Sequence, residues 1–380
     1  MNHRERWLAT LRFQAVDHVP DEEFGYWDDT LRAWHGQGLP EEIDSNAKAD
    51  IYFGFAPRAQ VPVTQGLLPA FESRVLEERG SHRVVRDENG ATCLVHSSGE
   101  SSIPHYLDFA LKGRREWEDD FKPRLDPDDP ARLPAPAEWA ALTQKYEDRD
   151  FPVGIGTGSL FGWIRNWMGF ERAAMMTHDD PGLLEEIMEQ ITQVLLRTIE
   201  WAVGQVAIDF GAGWEDMCFN MGPMISPADF ERLMVPRYRR ITEVLAASGC
   251  DIVFVDCDGN INQLVPLWLA AGVNCMFPVE VAAGTDPIAL RDKHGRSVLL
   301  LGGVNKRALI AGKDAIRAEL KRITPYVAEG GWIPHVDHRV PPDVTLDDYR
   351  YYLALKRETF GIPGPAPWEK RRPPEWGSAR

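Results

Sequence analysis

The sequence has no CxxC pair, and its five cysteines (Cys93, Cys218, Cys250, Cys257 and Cys275) are scattered and odd in number. That argues against a disulfide framework and for a reducing compartment. No apolar run approaches a membrane span, and the opening MNHRERWLATL lacks a signal-peptide core, so a cytoplasmic setting is expected. Positive charge is scarce: 42 Lys and Arg stand against 58 Asp and Glu, a net charge of −16. A surface this acidic repels phosphate backbones and anionic lipid, which argues against nucleic-acid and membrane partners. There is no P-loop, no GxSxG and no Cys–His nucleophile pair. The stretch GIGTGSLFG contains GxGxG without dinucleotide spacing or a following acidic partner. It reads as a barrel loop that lets a ligand approach the backbone closely.

What is present is enough for a large core. Of 380 residues, 44% are hydrophobic and 13 are tryptophan, which suits one large α/β barrel or two ordinary domains. The pattern predicts an amphipathic helix over 2–14, a first strand ending at Glu23 to Trp27, a helix over Asp28 to His35, and a short aromatic strand over Ile51 to Phe55. Residues 71–96 alternate around Asp87, Asn89 and Gly90, the signature of a β-hairpin inserted into the βα rhythm. Lys122 to Pro136 reads as a surface connection. From Phe151 onward apolar strands alternate with capped helices. Asp180-Pro181, Ser226-Pro227 and Asp286-Pro287 each place an N-cap before a proline suited to the first helical turn, and Pro236 is expected to kink its helix.

Close to eight such units favour a closed, TIM-like (β/α)8 barrel over an open doubly wound sheet. The expected organisation is a single barrel over 1–360 with a hairpin insertion at 71–110. A Pro-rich tail follows at 361–380, read as disordered or as an oligomer arm.

A barrel gathers the residues after each strand on one face. Those exits carry Glu215 and Asp216, then Asp256, Asp258 and Asn260, then Glu280, then Asn305, and finally His335, Asp337, His338 and Arg339 within GWIPHVDHRVPPDVT. Each alone has an ordinary reading as a turn residue or cap. Together they form a set of carboxylates and histidines suited to metal binding or acid–base work. Cys257 alternates to the opposite face and is expected to be buried and inert. Trp163 reads either as core or as an apolar wall of the barrel mouth.

The segments FxxxDHVP, VDCDGNINQLVPLWLAAGVNCMFPVEVAAG, GGVNKRALIAGKDAI and GGWIPHVDHRVPPDVTLDDY carry a resemblance to the uroporphyrinogen decarboxylase-like superfamily. Within it, the chain resembles the methyltransferase branch that serves corrinoid-dependent demethylation. True decarboxylases of the superfamily carry an arginine-rich N-terminal motif, and here that region reads VDHVPDEEFGYWDDTLRAWHG, acidic and aromatic. Coenzyme M methyltransferases of the superfamily bind zinc through a His-x-Cys and a distant cysteine. The matching positions here are Asp256, Asp258 and His338.

Two carboxylates and an imidazole make a harder site than two thiolates, better matched to oxygen or nitrogen than to a thiol. The resemblance therefore implies transfer of a methyl group from an O-methyl or N-methyl compound to the cobalt of a corrinoid (cobalamin-type) protein partner. A divalent metal such as zinc would be held by Asp256, Asp258, Glu280 and His338, or the same site would hold no metal and work as a proton donor. Catalysis would fall to Asp256, Asp258, His335, His338 and Glu215. Asp216, Asn260, Asn305, Arg339 and Trp163 would contact the small-molecule methyl donor, Arg339 as a carboxylate anchor. The alternatives are a cofactor-independent decarboxylase on the same barrel and a ligand-binding barrel without catalysis.

Overall fold

The computed structural model describes residues 1–97 and 104–371. Seven short strands run parallel in one curled sheet, in the order Ala59–Gln60, Val153–Gly158, Phe210–Trp214, Val253–Asp256, Cys275–Phe277, Leu299–Val304 and Trp332–Val336. The eighth stave is extended chain from Asp21 to Trp27 rather than regular strand. On one side it forms a parallel bridge between Tyr26 and Val340 and hydrogen bonds from Val340 N to Gly25 O (2.9 Å) and from Trp27 N to Val340 O (3.3 Å). On the other, Ala56 N donates to Asp21 O at 3.0 Å. The sheet therefore closes as a TIM-like barrel, as the alternation of elements predicted.

Period-two alternation splits the core in two. Outward side chains pack against the helices. Inward side chains (Phe210, Ile252, Phe254, Cys275, Phe277, Leu299, Leu301 and Ile333) form a separate cluster with Trp7 and Leu11 of the first helix, His3–Leu11. That helix plugs the end of the barrel where the strands begin. The longest helix, Pro181–Val203, is capped by Asp180 and buries the stripe Leu184, Ile187, Met188, Ile191, Leu195, Ile199 and Ala202. The helix expected to kink at Pro236 is broken at Met234 into Pro227–Leu233 and Val235–Ala247.

The barrel is locked by a buried ionic knot. Lys356, fully buried on the last helix (Leu346–Phe360), donates to Glu23 Oε1 at 2.7 Å and to Glu22 O at 2.8 Å, with Asp21 Oδ1 at 3.2 Å. Tyr352 donates to the same Glu23 oxygen at 2.8 Å, and Glu23 Oε2 accepts from Val336 N at 3.1 Å. A buried cation is tolerable only with such partners.

Two expectations are corrected and one is extended. Residues 51–55 are not a strand: Asn46–Phe53 is a helix that ends at Gly54, whose φ of 82° suits the left-handed C-cap. The strand begins instead at Ala59. The expected hairpin is part of a four-stranded antiparallel sheet, Arg74–Arg79, His82–Arg86, Thr92–His96 and His105–Asp108. Its Asp87 turn is present, with Oδ1 accepting from Asn89 N and Ala91 N. The 122–136 connection is not wholly at the surface: Arg132 is 1% exposed and donates to the carbonyls of Thr64, Gly66, Arg124 and Asp126. As for the tail, Trp368 packs on Tyr52 and Arg371 donates to Ile51 O, while residues 372–380 lie outside the described part.

Candidate active site in the barrel mouth

Inside the barrel a cavity of about 440 Å³ is lined by Glu23, Phe24, Asn46, Arg58, Gln60, Phe210, Phe254, Asp256, Phe277 and Arg339. Strand alternation explains the set. Phe254 and Asp256 face inward two residues apart, with Val255 buried on the other side. Arg58 and Gln60 flank Ala59, whose side chain belongs to the outer core. Four phenylalanines share the lining with six polar or charged residues.

At the open end, Asp256 is the last residue of its strand. Burial pushes its carboxyl well above the ordinary carboxylate range, the Asp258 and Asp216 carboxylates add to the shift, and the Arg339 guanidinium opposes it. Asp258 Oδ2 lies 3.1 Å from His338 Nε2, while Asp258 Oδ1 is buried with no hydrogen-bond partner among the described residues. The His338 ring is wedged between Phe24 and Trp27, each at 5.6 Å between centroids. Arg339 lies over the same two rings, and its Nη1 is 3.5 Å from Tyr26 O. Asp216 forms an ion pair with Arg165 at 3.2 Å; burial raises its carboxyl, and the Arg165 charge opposes that. Among the described residues three non-glycine residues have positive φ, and two of them are Asp216 (41°) and Val279 (62°), both at strand exits. A β-branched residue in that region is strained, and such strain concentrates at functional sites.

Other expected site residues are occupied elsewhere. Glu215 is wholly buried and accepts from Leu160 N (2.6 Å), Phe161 N (2.9 Å), Gly162 N (2.9 Å), Ser159 Oγ (3.2 Å) and the Tyr238 hydroxyl. It clamps the Gly-rich loop and does not line the cavity. Asp337, also fully buried, accepts from Val281 N at 2.9 Å and Lys306 N at 2.8 Å, and burial pushes its carboxyl up to about 6. Asn305 caps the helix Lys306–Ala311, and Asn260 Oδ1 accepts from Asn262 in a local turn. His335 is buried with Nδ1 2.9 Å from Val336 O and its ring 5.5 Å from Phe277. The Trp163 ring stacks on Trp167, with centroids 6.3 Å apart, away from the cavity lining. Cys257 is buried as expected, and its thiol is pushed well up, first by burial.

The side chains proposed to hold a metal are brought together only in part. Asp258 and His338 touch, and Asp256 lies near enough to feel the Asp258 charge. Glu280 instead pairs with Lys306 at 2.7 Å and accepts from Gly259 N at 3.1 Å. Among the described residues no group of three or more His, Cys, Asp or Glu side chains gathers at metal-ligand spacing. So arranged, the donors do not fit a four-ligand zinc centre.

The sequence pattern of the Uroporphyrinogen decarboxylase (URO-D) family matches residues 112–358. The chain belongs to that family. It is 22% identical over 298 residues to the uroporphyrinogen decarboxylase of Thermus thermophilus, covering 75% of this chain and 73% of that one. The Campylobacter jejuni uroporphyrinogen decarboxylase is 23% identical over 199 residues, or 50% of this chain, and the chain spans about half (53%) of that relative. Among solved structures, a methyltransferase from Methanosarcina mazei superposes with a TM-score of 0.59 at 16% identity, covering 94% of this chain and 99% of that one. The last comparison shows a shared fold across nearly the whole chain. No helix among the described residues is long and apolar enough to cross a membrane.

Proposed function

We propose that this family member is a methyltransferase that takes a methyl group from an O-methyl or N-methyl small molecule and passes it to the cobalt of a corrinoid carried by a partner protein. The observation that carries this reading is Asp256. It is a carboxyl whose proton affinity is raised by burial and by two neighbouring carboxylates, and it faces the cavity. An ether or amine leaves poorly as an anion, so cleavage of its methyl bond needs a proton at the departing heteroatom. Asp256 supplies that proton. The methyl–heteroatom bond breaks with its electron pair remaining on oxygen or nitrogen, which takes the Asp256 proton. The reduced corrinoid provides a two-electron nucleophile that accepts the methyl group. Asp258 beside it adds to that raised proton affinity and is hydrogen-bonded to His338. The partner would cover the mouth, because methyl transfer needs close, in-line approach.

Incubating the protein with methoxylated aromatics and chemically reduced cobalamin, and following loss of the Co(I) absorbance, tests this. Turnover is expected with at least one donor, and none with any O- or N-methyl donor overturns it. One observation favours a decarboxylase as the second reading. Arg339 and Asp256 share the cavity wall, so a substrate carboxylate at the mouth would meet both a cation and an acid. Carbon dioxide release without methyl transfer would select it.

A further inference from the structure

Two of the cavity's polar groups, Asp256 and Arg58, sit at opposite ends. Asp256 ends its strand, at the mouth. Arg58 lies over the rings of Phe254 (5.6 Å) and Phe210 (5.7 Å). Phe210 is the first residue of its strand and packs with Trp7 of the plugging helix, so Arg58 marks the closed end. Its one ion-pair partner among the described residues is Glu22, at 3.4 Å from Nε, and its Nη1 is buried with no hydrogen-bond partner. The Nε side of the fork is thus neutralised while a buried nitrogen is left unserved. Arg58 also lines the cavity, and its side chain is 21% exposed, so part of it is open to a ligand. Nearby His3 does not add positive charge: burial, then the charges of Arg58 and Arg6, lower its ring to about 3.

We propose that Arg58 is the anchor for a carboxylate on a flat aromatic substrate, whose methyl-bearing heteroatom is thereby presented to Asp256 at the other end of the cavity. Four phenylalanines (24, 210, 254 and 277) line the space between. Phe254 and Asp256 stand two residues apart on one strand, about 6.6 Å along its axis, roughly the reach of a benzene ring substituted at opposite positions. A planar guanidinium supported on aromatic faces matches a carboxylate in a way that a lysine would not. The substrate class is therefore a methoxylated or N-methylated aromatic carboxylate. It meets Arg58 rather than Arg339, whose guanidinium lies at the mouth over Phe24 and Trp27.

This inference deepens the methyltransferase reading but is tested by binding alone. Calorimetric titration with 4-hydroxybenzoate, the demethylated form of a methoxybenzoate, and with the neutral 4-hydroxybenzamide compares a carboxylate with its uncharged counterpart. The wild type is expected to prefer the carboxylate by about 100-fold, in line with a desolvated charge pair. Arg58→Gln should remove that preference while leaving amide binding unchanged. Arg58→Lys, which keeps the charge without the fork, should retain part of the preference, and it reports on the anchor if the glutamine variant does not fold. Equal affinity for the two ligands in wild type, or a preference that survives Arg58→Gln, overturns the anchor. A carboxylate preference that depends on Arg58, alongside no methyl transfer from any donor, keeps the anchor and discards the reaction. Turnover of neutral methoxyaromatics as fast as of methoxybenzoates does the reverse.

Discussion

Neighbouring strands end in carboxyl groups that do opposite things. After Phe210–Trp214, Glu215 turns away from the cavity and is enclosed by three backbone amides and two hydroxyls. At the end of Val253–Asp256, Asp256 faces the cavity, and no amide satisfies it among the bonds described; only the Arg339 charge opposes its rise. Both carboxyls are raised by burial. The difference lies in what surrounds the oxygen atoms. An acid with all its lone pairs filled holds a loop in place, whereas one facing open space can give up a proton. A strand-exit position alone does not make an acid catalytic.

The sharpest break of this contrast is Asp256→Asn. Methyl transfer should fall about 1,000-fold, the scale of a lost general acid, with the unfolding midpoint nearly unchanged. Equal rates in a single-turnover absorbance assay would remove Asp256 from the chemistry. In the wild type, the rate should fall as pH rises through the raised Asp256 value, since the protonated form is the donor, and this limb should vanish in the variant. Glu215→Gln should act the other way. Its amide can no longer accept at both ends, so denaturant unfolding should show a loss of about 3 kcal/mol, with little change in rate per folded molecule.

Asp337 extends the contrast to stability. Its folded value of about 6 lies above the ordinary 3.8, so its protonated form stabilises the fold. That contribution is complete below 3.8 and disappears as pH rises through 6. Relative to Asp337→Asn, wild type should lose on the order of 2 kcal/mol between pH 4 and pH 7, measured by unfolding the two side by side. The smallest effect belongs to Cys257→Ser. The thiol is buried, accepts from Met217 N at 3.3 Å and lies outside the cavity lining, so the rate should hold and stability should shift by less than about 1 kcal/mol.

The barrel was legible because its signals are local. Capping aspartates before prolines, apolar strands and period-two alternation each depend on residues a few positions apart, and they placed Asp256, Asp258, His338 and Arg339 around one mouth. Glu215, Asp337, Asn305 and Asn260 share that residue chemistry and those strand exits. Only the three-dimensional position of distant backbone amides separates an acid that clamps a loop from one that faces substrate. Arg58 is not legible in the sequence because the apolar pattern places the second strand over 51–55. With the strand at Ala59–Gln60, the alternation of Arg58, Ala59 and Gln60 would have turned the arginine inward. Glu280 was a reasonable metal ligand until Lys306, 26 residues later, supplied its partner.

The knot between Glu23 and Lys356 joins residues 333 positions apart. During synthesis from the amino end, the first stave emerges with acids it cannot neutralise until nearly the whole barrel has been made. Closing so long a loop is slow compared with local helix formation. The nascent chain should therefore remain open along the seam between its first and last staves, and ribosome-bound chains halted before Lys356 should be cleaved by protease near Glu23 while those halted well beyond it resist.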